Sequence, residues 1–423
     1  MDEANRIGPA TPRRQAWILL YAIACVAIYA ATFAGRAPIW TRVNAVTFAD
    51  AAHYVSMLDD GHYRACVIGP ARPAHGEHQR KTVHHVLYLL IGEGTIDVIS
   101  ALPAVDARLA MWLISPLLGG LNVLLAADYF RRTVHSGRLA IACTLLFPLL
   151  PGTWVYAAIP ESWILSTTAV LLLLYARGRG ASPALLGACI GVCSLTNFLL
   201  LMTVLLVAGH SRRERARAVF VAGLVALATW MAGLTVFGLL LSPAFFPHNF
   251  LAATFAFKAR FTENLGLLHP GRWIYNAANV LVLPFVLNQD VLDFGRFAIA
   301  DTVRRIPLGT MAVAALAAGW LAVAAAAWRA VRQRGLGRAL GDALFEPELV
   351  YLAVAFLATG IVLYYESFLY ATMTTPIVLA LMAKAVADRR PPAALVWSVV
   401  VVGLLNALQQ IYVFRTLLGG PAG

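Results

Sequence analysis

Apolar residues along this chain come in long blocks rather than in alternation. Runs close to the ~20 residues that a bilayer requires recur from residue 16 to residue 414, with short polar stretches between them. Only helices and closed barrels satisfy their own backbone hydrogen bonds in hydrocarbon, and continuous runs of this length read as helices. Spans are predicted at about 16–34, 109–130, 139–151, 162–176, 218–241, 308–328, 348–364, 373–386 and 393–414. The run 183–209 exceeds one span and carries Thr196-Asn197 at its middle, so it divides into two short helices that go out and back. The expected fold is therefore all-α, a polytopic transmembrane bundle of about 11 spans.

Two large polar loops interrupt the pattern, at 35–108 and 242–307. Within the first, Val86 to Leu102 is half apolar and broken by Glu93 and Asp97, as expected of an amphipathic helix lying along the surface. Within the second, the apolar stretch from Trp273 to Leu287 contains Asn276, Asn279 and Pro284, and is expected to be re-entrant or interfacial. Span 3 is expected to stop at Pro151, with Tyr156, Pro160 and Glu161 in a tight outer turn. The chain divides into residues 1–241 with the first loop and residues 242–423 with the second.

Charge orients this pattern. Arg6, Arg13 and Arg14 precede the first span, and Arg131, Arg132, Arg138, Arg177, Arg179 and the 212–217, 329–338 and 389–390 groups fall in short connections. Basic short loops mark the cytoplasmic side. Placing them there puts the N-terminus inside, both large loops outside and the C-terminus outside. The first span has no small-residue cleavage site after a short apolar core, so it reads as retained. The composition agrees: 60% hydrophobic, 13% charged and a net charge of +12. That charge is accounted for by the connecting loops, so no nucleic-acid partner is expected. Of the five cysteines only Cys66 falls in an outer loop, and Cys189 and Cys193, at i and i+4, read as small packing residues.

The outer loops carry the candidate chemistry. Phe48-Ala-Asp50-Ala-Ala-His53-Tyr54 sets a carboxylate with His53 and Tyr54 at i+3 and i+4, on one face if helical. Such a carboxylate can act as general base, or simply be a solvated loop aspartate. Pro160-Glu161-Ser162 places a second carboxylate at an outer span edge, where a first-turn glutamate is also favoured by the helix dipole. Lys81, His84, His85 and Tyr88 combine cationic and hydrogen-bonding groups suited to a lipid phosphate at the interface. Lys258, Arg260, His269 and Arg272 interleave with Phe255, Phe257, Phe261 and Trp273, which suits a phosphate with an isoprenoid chain and equally suits headgroup anchoring. Glu366 sits in the outer turn Tyr364 to Tyr370. The spacing of His75, His78, His84 and His85 lacks the helical His-x-x-x-His pattern and its glutamate, so no metal site and no cofactor is expected. No Gly-rich phosphate loop and no Gly-x-Ser-x-Gly stretch is present.

In order and placement these features resemble the GT-C superfamily of polytopic membrane glycosyltransferases. The resemblance rests on the early Asp50 after a first span, the Lys81 to Leu90 segment, Pro160-Glu161, and Leu186-Gly-Ala-Cys-Ile-Gly-Val-Cys-Ser-Leu-Thr-Asn197, which looks like that family's Gly-rich broken helix pair. It covers residues 15–240 well and the remainder loosely. It implies an inverting transferase that takes sugar from a polyprenyl-phosphate donor to a lipid, glycan or protein acceptor. Asp50 would be the catalytic base and Glu161 the second acidic residue. His53, Tyr54, Lys81, His84, His85, Tyr88, Lys258, Arg260, Arg272 and Glu366 would contact substrate. Where many relatives carry an Arg-Tyr pair before a late proline, this chain has Glu366-Ser-Phe-Leu-Tyr370, so another cation must hold the donor phosphate. The absence of a soluble C-terminal stretch points away from the oligosaccharyltransferase branch. The implied location is a bacterial plasma membrane, with membrane lipids around the chain and the site on the periplasmic or extracellular face. A transporter or flippase of lipid-linked sugars, a non-catalytic subunit of an envelope-assembly complex, and a glycan polymerase or ligase remain alternatives.

Overall fold

The computed structural model describes residues 12–32, 107–159, 163–176, 181–193, 211–241, 270–282, 285, 307–343, 346–362, 367–387 and 389–418. Among the described residues the chain is helical throughout, with no strand. The helices are α1 (Pro12–Thr32), α2 (Ala107–Thr133), α3 (Gly137–Leu146), α4 (Pro151–Ala158), α5 (Trp163–Ala176), α6 (Pro183–Cys193), α7 (Arg212–Leu241), α8 (Pro270–Leu281), α9 (Pro307–Arg334), α10 (Leu336–Ala343), α11 (Pro347–Val362), α12 (Ser367–Ala387) and α13 (Ala393–Leu418). Five are long and apolar enough to cross a membrane: α1, α2, α7, α9 and α13. A sixth crossing results if α3 and α4, bent by 45° across their junction, act as one span. The apolar parts of α5, α11 and α12 are shorter.

The long helices divide by exposure. In α2, 67% of the apolar window is buried inside the bundle, against 22% in α1, 17% in α7, 11% in α9 and 28% in α13. Leu19, Leu20 and Ile23 on α1, Phe220 and Leu224 on α7, and Leu321 on α9 are exposed. Large apolar side chains on the outside of a helical bundle fit a hydrocarbon surround, where exposing them costs nothing. The core lies instead around α12. That helix packs against α2, α3, α4, α5, α8, α9 and α11, and Met373, Ile377, Val378 and Ala380 are fully buried on it.

The region after α3 departs from the sequence expectation. Pro151 does not end the span in a loop; it begins α4, whose residues are all buried, Tyr156 completely. Leu150 is extended (φ −71°, ψ 142°), as a residue before proline prefers, and proline is well suited to a first helical position because it has no N–H to satisfy. The bend leaves carbonyls without helical donors, and α1 supplies donors. Tyr29 Oη donates to the Pro148 carbonyl at 2.6 Å, and Tyr21 Oη donates to the Leu145 carbonyl at 2.6 Å.

Helices α6 and α7 meet backbone to backbone. A Cβ placed on Gly187 would lie 2.3 Å from the Ala222 carbonyl oxygen, and one on Gly191 would lie 2.2 Å from that of Ala226. This is the small-residue packing that lets membrane helices approach closely. It corrects the reading of Cys189, which, two residues from each glycine, turns away and is exposed; the Cys193 side chain lies outside the described residues. At eleven residues α6 is about 16 Å long, short of a crossing.

The basic residues collect at one end of the bundle. Arg132, at the end of α2, reaches the carbonyls of Leu174 and Tyr175 at the end of α5 and stacks over the Tyr175 ring. Lys384, near the end of α12, reaches Glu348 at the start of α11. These contacts put the ends of α2, α5 and α12 and the start of α11 on one face, hereafter the basic face.

Candidate functional site

Asp50, His53, Tyr54, Lys81, His84, His85, Tyr88, Glu161, Lys258, Arg260 and Glu366 lie outside the described residues. Arg272 stands in the first turn of α8. The stretches that adjoin Glu161 and Arg272 in sequence are described, and they define the neighbourhood.

Glu161 connects α4 to α5. On one side Ala158 and Ile159 are fully buried, and on the other Trp163 is 4% exposed. The described residues on both sides of the connection thus belong to the core rather than to exposed helix ends. Helix α5 then carries Ser166, Thr167 and Thr168, all buried. Thr167 Oγ1 donates to Thr372 Oγ1 of α12 at 3.2 Å, and Thr372, Thr374 and Thr375 are buried beside it. Thr168 Oγ1 donates back to the Ile164 carbonyl at 2.9 Å, and Asn122 Nδ2 of α2 donates to the same carbonyl at 3.5 Å. Thr167 and Thr372 both lie within two turns of their helix starts, on the half of the bundle away from the basic face. This hydroxyl-rich band is unusual for a membrane interior, where polar groups are costly unless hydrogen-bonded. Among the described residues, Asn122 Oδ1, Thr153 Oγ1, Asn406 Oδ1 and both polar atoms of Gln410 are buried without a hydrogen-bond partner.

Helix α8 is docked rather than spanning. At twelve residues it is about 18 Å long, and it packs on α11 and α12. Asn276 Nδ2 donates to the Phe356 carbonyl at 2.8 Å, the Trp273 ring lies 5.7 Å from that of Phe356, and Trp320 Nε1 donates to the Leu281 carbonyl at 3.3 Å. The asparagine that interrupts the apolar pattern thus has its Nδ2 satisfied by a neighbouring helix, while its Oδ1 is buried without a partner. Helices α4, α5 and α8 all pack on α12, so the segments carrying Glu161 and Arg272 adjoin elements that share one central helix.

Sequence reasoning missed a second constellation, on the basic face. Lys384 Nζ pairs with Glu346 and, at 3.0 Å, with Glu348 Oε2; Tyr129 Oη donates to Glu348 Oε1 at 3.3 Å. Glu348 is 2% exposed, whereas the Glu346 side chain is 37% exposed. Burial, with the hydrogen bond to Glu348, pushes the Glu346 carboxyl above the usual carboxylate range, and Lys384 only partly offsets this. The legible signal was a lysine inside an apolar run, which requires a carboxylate partner, and Glu346-Pro-Glu348 opening the preceding helix. Nearby Asp128 is held by Arg131 at 3.0 Å and by Arg132. Among the described residues no group of three or more metal-binding side chains forms.

Comparison with protein-family models, curated proteins and solved structures returned no match to this chain.

Proposed function

We propose that this chain is an integral membrane glycosyltransferase, inverting and GT-C-like. It would move a sugar from a polyprenyl-phosphate donor to a lipid, glycan or protein acceptor, on the face opposite the basic residues. In this reading the described helices belong to a polytopic bundle of about 11 spans in a bacterial plasma membrane, with the basic face cytoplasmic. Asp50 takes the acceptor hydroxyl proton as that oxygen attacks the anomeric carbon, and the polyprenyl phosphate leaves. Glu161 orients the sugar or acceptor. Arg272, Lys258, Arg260 or the Lys81–His85 group holds the phosphate, which charge-assisted hydrogen bonds stabilise as negative charge develops on it.

The observation that carries this reading is the setting of the Glu161 connection. It is flanked in sequence by the buried residues Ile159 and Trp163, and α5 then carries a band of buried hydroxyl groups on the half of the bundle away from the basic face. Asn122, hydrogen-bonded to the Ile164 carbonyl of α5, leaves its Oδ1 buried without a partner, and such an acceptor suits a sugar hydroxyl.

The test is turnover by the purified protein with a panel of polyprenyl-phosphate sugars. Asp50→Asn is expected to lower the rate by ~10²–10⁴-fold with the protein still folded, the usual range for loss of a general base. A wild-type rate in that variant refutes the assignment. A lipid-linked sugar transporter instead predicts movement of labelled donor across proteoliposomes without transfer, and charges deep within spans. The described ion pairs of Lys384 and Asp128 stand within two turns of their helix ends, which favours the transferase.

A further inference from the structure

A cleft of about 710 Å³ opens on the basic face between two connections distant in sequence. The α2–α3 connection contributes His135, Ser136, Arg138 and Leu139, and the α12–α13 connection contributes Ala387, Arg390, Pro391 and Val396. Its polar groups are cationic or neutral, and its apolar side comprises Leu139, Ala387, Pro391 and Val396. Among the described residues no carboxylate pairs with Arg138 or Arg390; Asp388 lies outside them.

Both arginines occupy positions that local structure disfavours. Arg138 is the second residue of α3, after the N-cap Ser136, where the helix dipole repels a cation and favours an anion. Arg390 has φ 45°, a conformation in which glycine or asparagine is the low-cost choice. Two locally unfavourable arginines from connections distant in sequence converge on one cleft. Local rules are broken in this way where a site, rather than the helix ends themselves, requires the residue.

We propose that this cleft binds the phosphate of an anionic phospholipid. Arg138 and Arg390 grip the phosphate, the α3 N-terminus adds its dipole, and the acyl chains leave along the apolar side. The inference rests on the membrane reading and is independent of the transferase assignment.

The test titrates the detergent-purified full chain with phosphatidylglycerol, phosphatidylcholine or inorganic phosphate and counts bound ligand by native mass spectrometry. The wild type is expected to retain phosphatidylglycerol over phosphatidylcholine. Arg138→Gln and Arg390→Gly should each weaken that retention roughly 5-fold, the effect of one cation at an anionic surface. Neither substitution threatens the fold, since each removes a local cost, and an unchanged melting temperature verifies this. Arg213→Gln, on the exposed first turn of α7, should leave retention unchanged. Equal retention of the two lipids, loss in Arg213→Gln as large as in the cleft variants, or full displacement by millimolar phosphate overturns the proposal.

Discussion

At the scale of single residues, the Lys384 cluster distributes its charges unevenly. Glu348 is almost wholly enclosed and touches both Lys384 and Tyr129, so neutralising it removes the buried half of the cluster and leaves Lys384, a quarter exposed, with Glu346 alone. Glu348→Gln is expected to cost about 1–3 kcal/mol, the usual range for losing a charge-assisted contact to a buried group. Glu346 is more than a third exposed and has the raised carboxyl, so Glu346→Gln should cost under about 1 kcal/mol. The sign of the pH effect follows. A carboxyl raised in the folded state favours folding in its protonated form; that contribution is complete below the unfolded pKa and is lost as pH rises through the folded one. Wild-type stability should therefore fall relative to Glu346→Gln as pH rises above the ordinary carboxylate range. Thermal unfolding in detergent across pH checks both substitutions. Neither glutamate stood out in the sequence, because each looks like an ordinary first-turn acid until α2 and α12 are brought against it.

At the scale of elements, helix boundaries follow local chemistry that hydropathy alone does not register. The hydropathy pattern places a span at about 218–241, and α7 begins earlier, at Arg212. Ser211 and Glu214 form a reciprocal capping box: Ser211 N–H donates to Glu214 Oε2 at 3.0 Å, and Glu214 N–H donates to Ser211 Oγ at 3.2 Å. Ser211→Ala should cost about 1 kcal/mol. Helix α9 likewise runs on to Arg334 before Gly335, with φ 79°, closes it by donating to the Val331 carbonyl at 2.8 Å. The α6–α7 contact is more demanding. Gly191→Ile must displace the α7 backbone rather than a side chain, and an overpacking cost of about 1–3 kcal/mol or more is expected. Melting of the two variants beside the wild type measures each cost. A smaller loss for Gly191→Ile than for Ser211→Ala would show that α6 and α7 separate easily.

At the scale of the whole molecule, positive charge and helix packing agree on a single basic face. That agreement makes a topological prediction. With the native cysteines replaced, a cysteine at position 135 should react with a membrane-impermeant maleimide only in inverted vesicles, and one at position 75 only in intact cells. Labelling of both from the same side would remove the basis for an outward site. The buried hydroxyl band lies away from the basic face, and the arginine cleft lies on it. In the proposed reading, sugar transfer and lipid binding would then take place at opposite ends of the bundle.

The all-helical class, the long apolar helices and the basic connections were legible in the sequence, because each depends on composition within one segment. Asn276 interrupts the apolar run of a described helix of twelve residues. The candidate residues Asp50 and Glu161 were likewise chosen from local motifs. What only the tertiary structure decided was which segments meet. Pro151 starts a buried helix because α1 tyrosines satisfy the carbonyls at the bend, and Cys189 is exposed because glycines occupy the packed face. Glu348, Lys384 and Tyr129 form one cluster, and Arg138 and Arg390 one cleft, although 36 to 252 positions separate the members of each. In a chain whose segments are nearly all apolar, hydrophobicity decides that helices form but distinguishes poorly between partners. Partner choice rests on a few small residues, hydrogen bonds and ion pairs, and their meaning appears only once they are side by side.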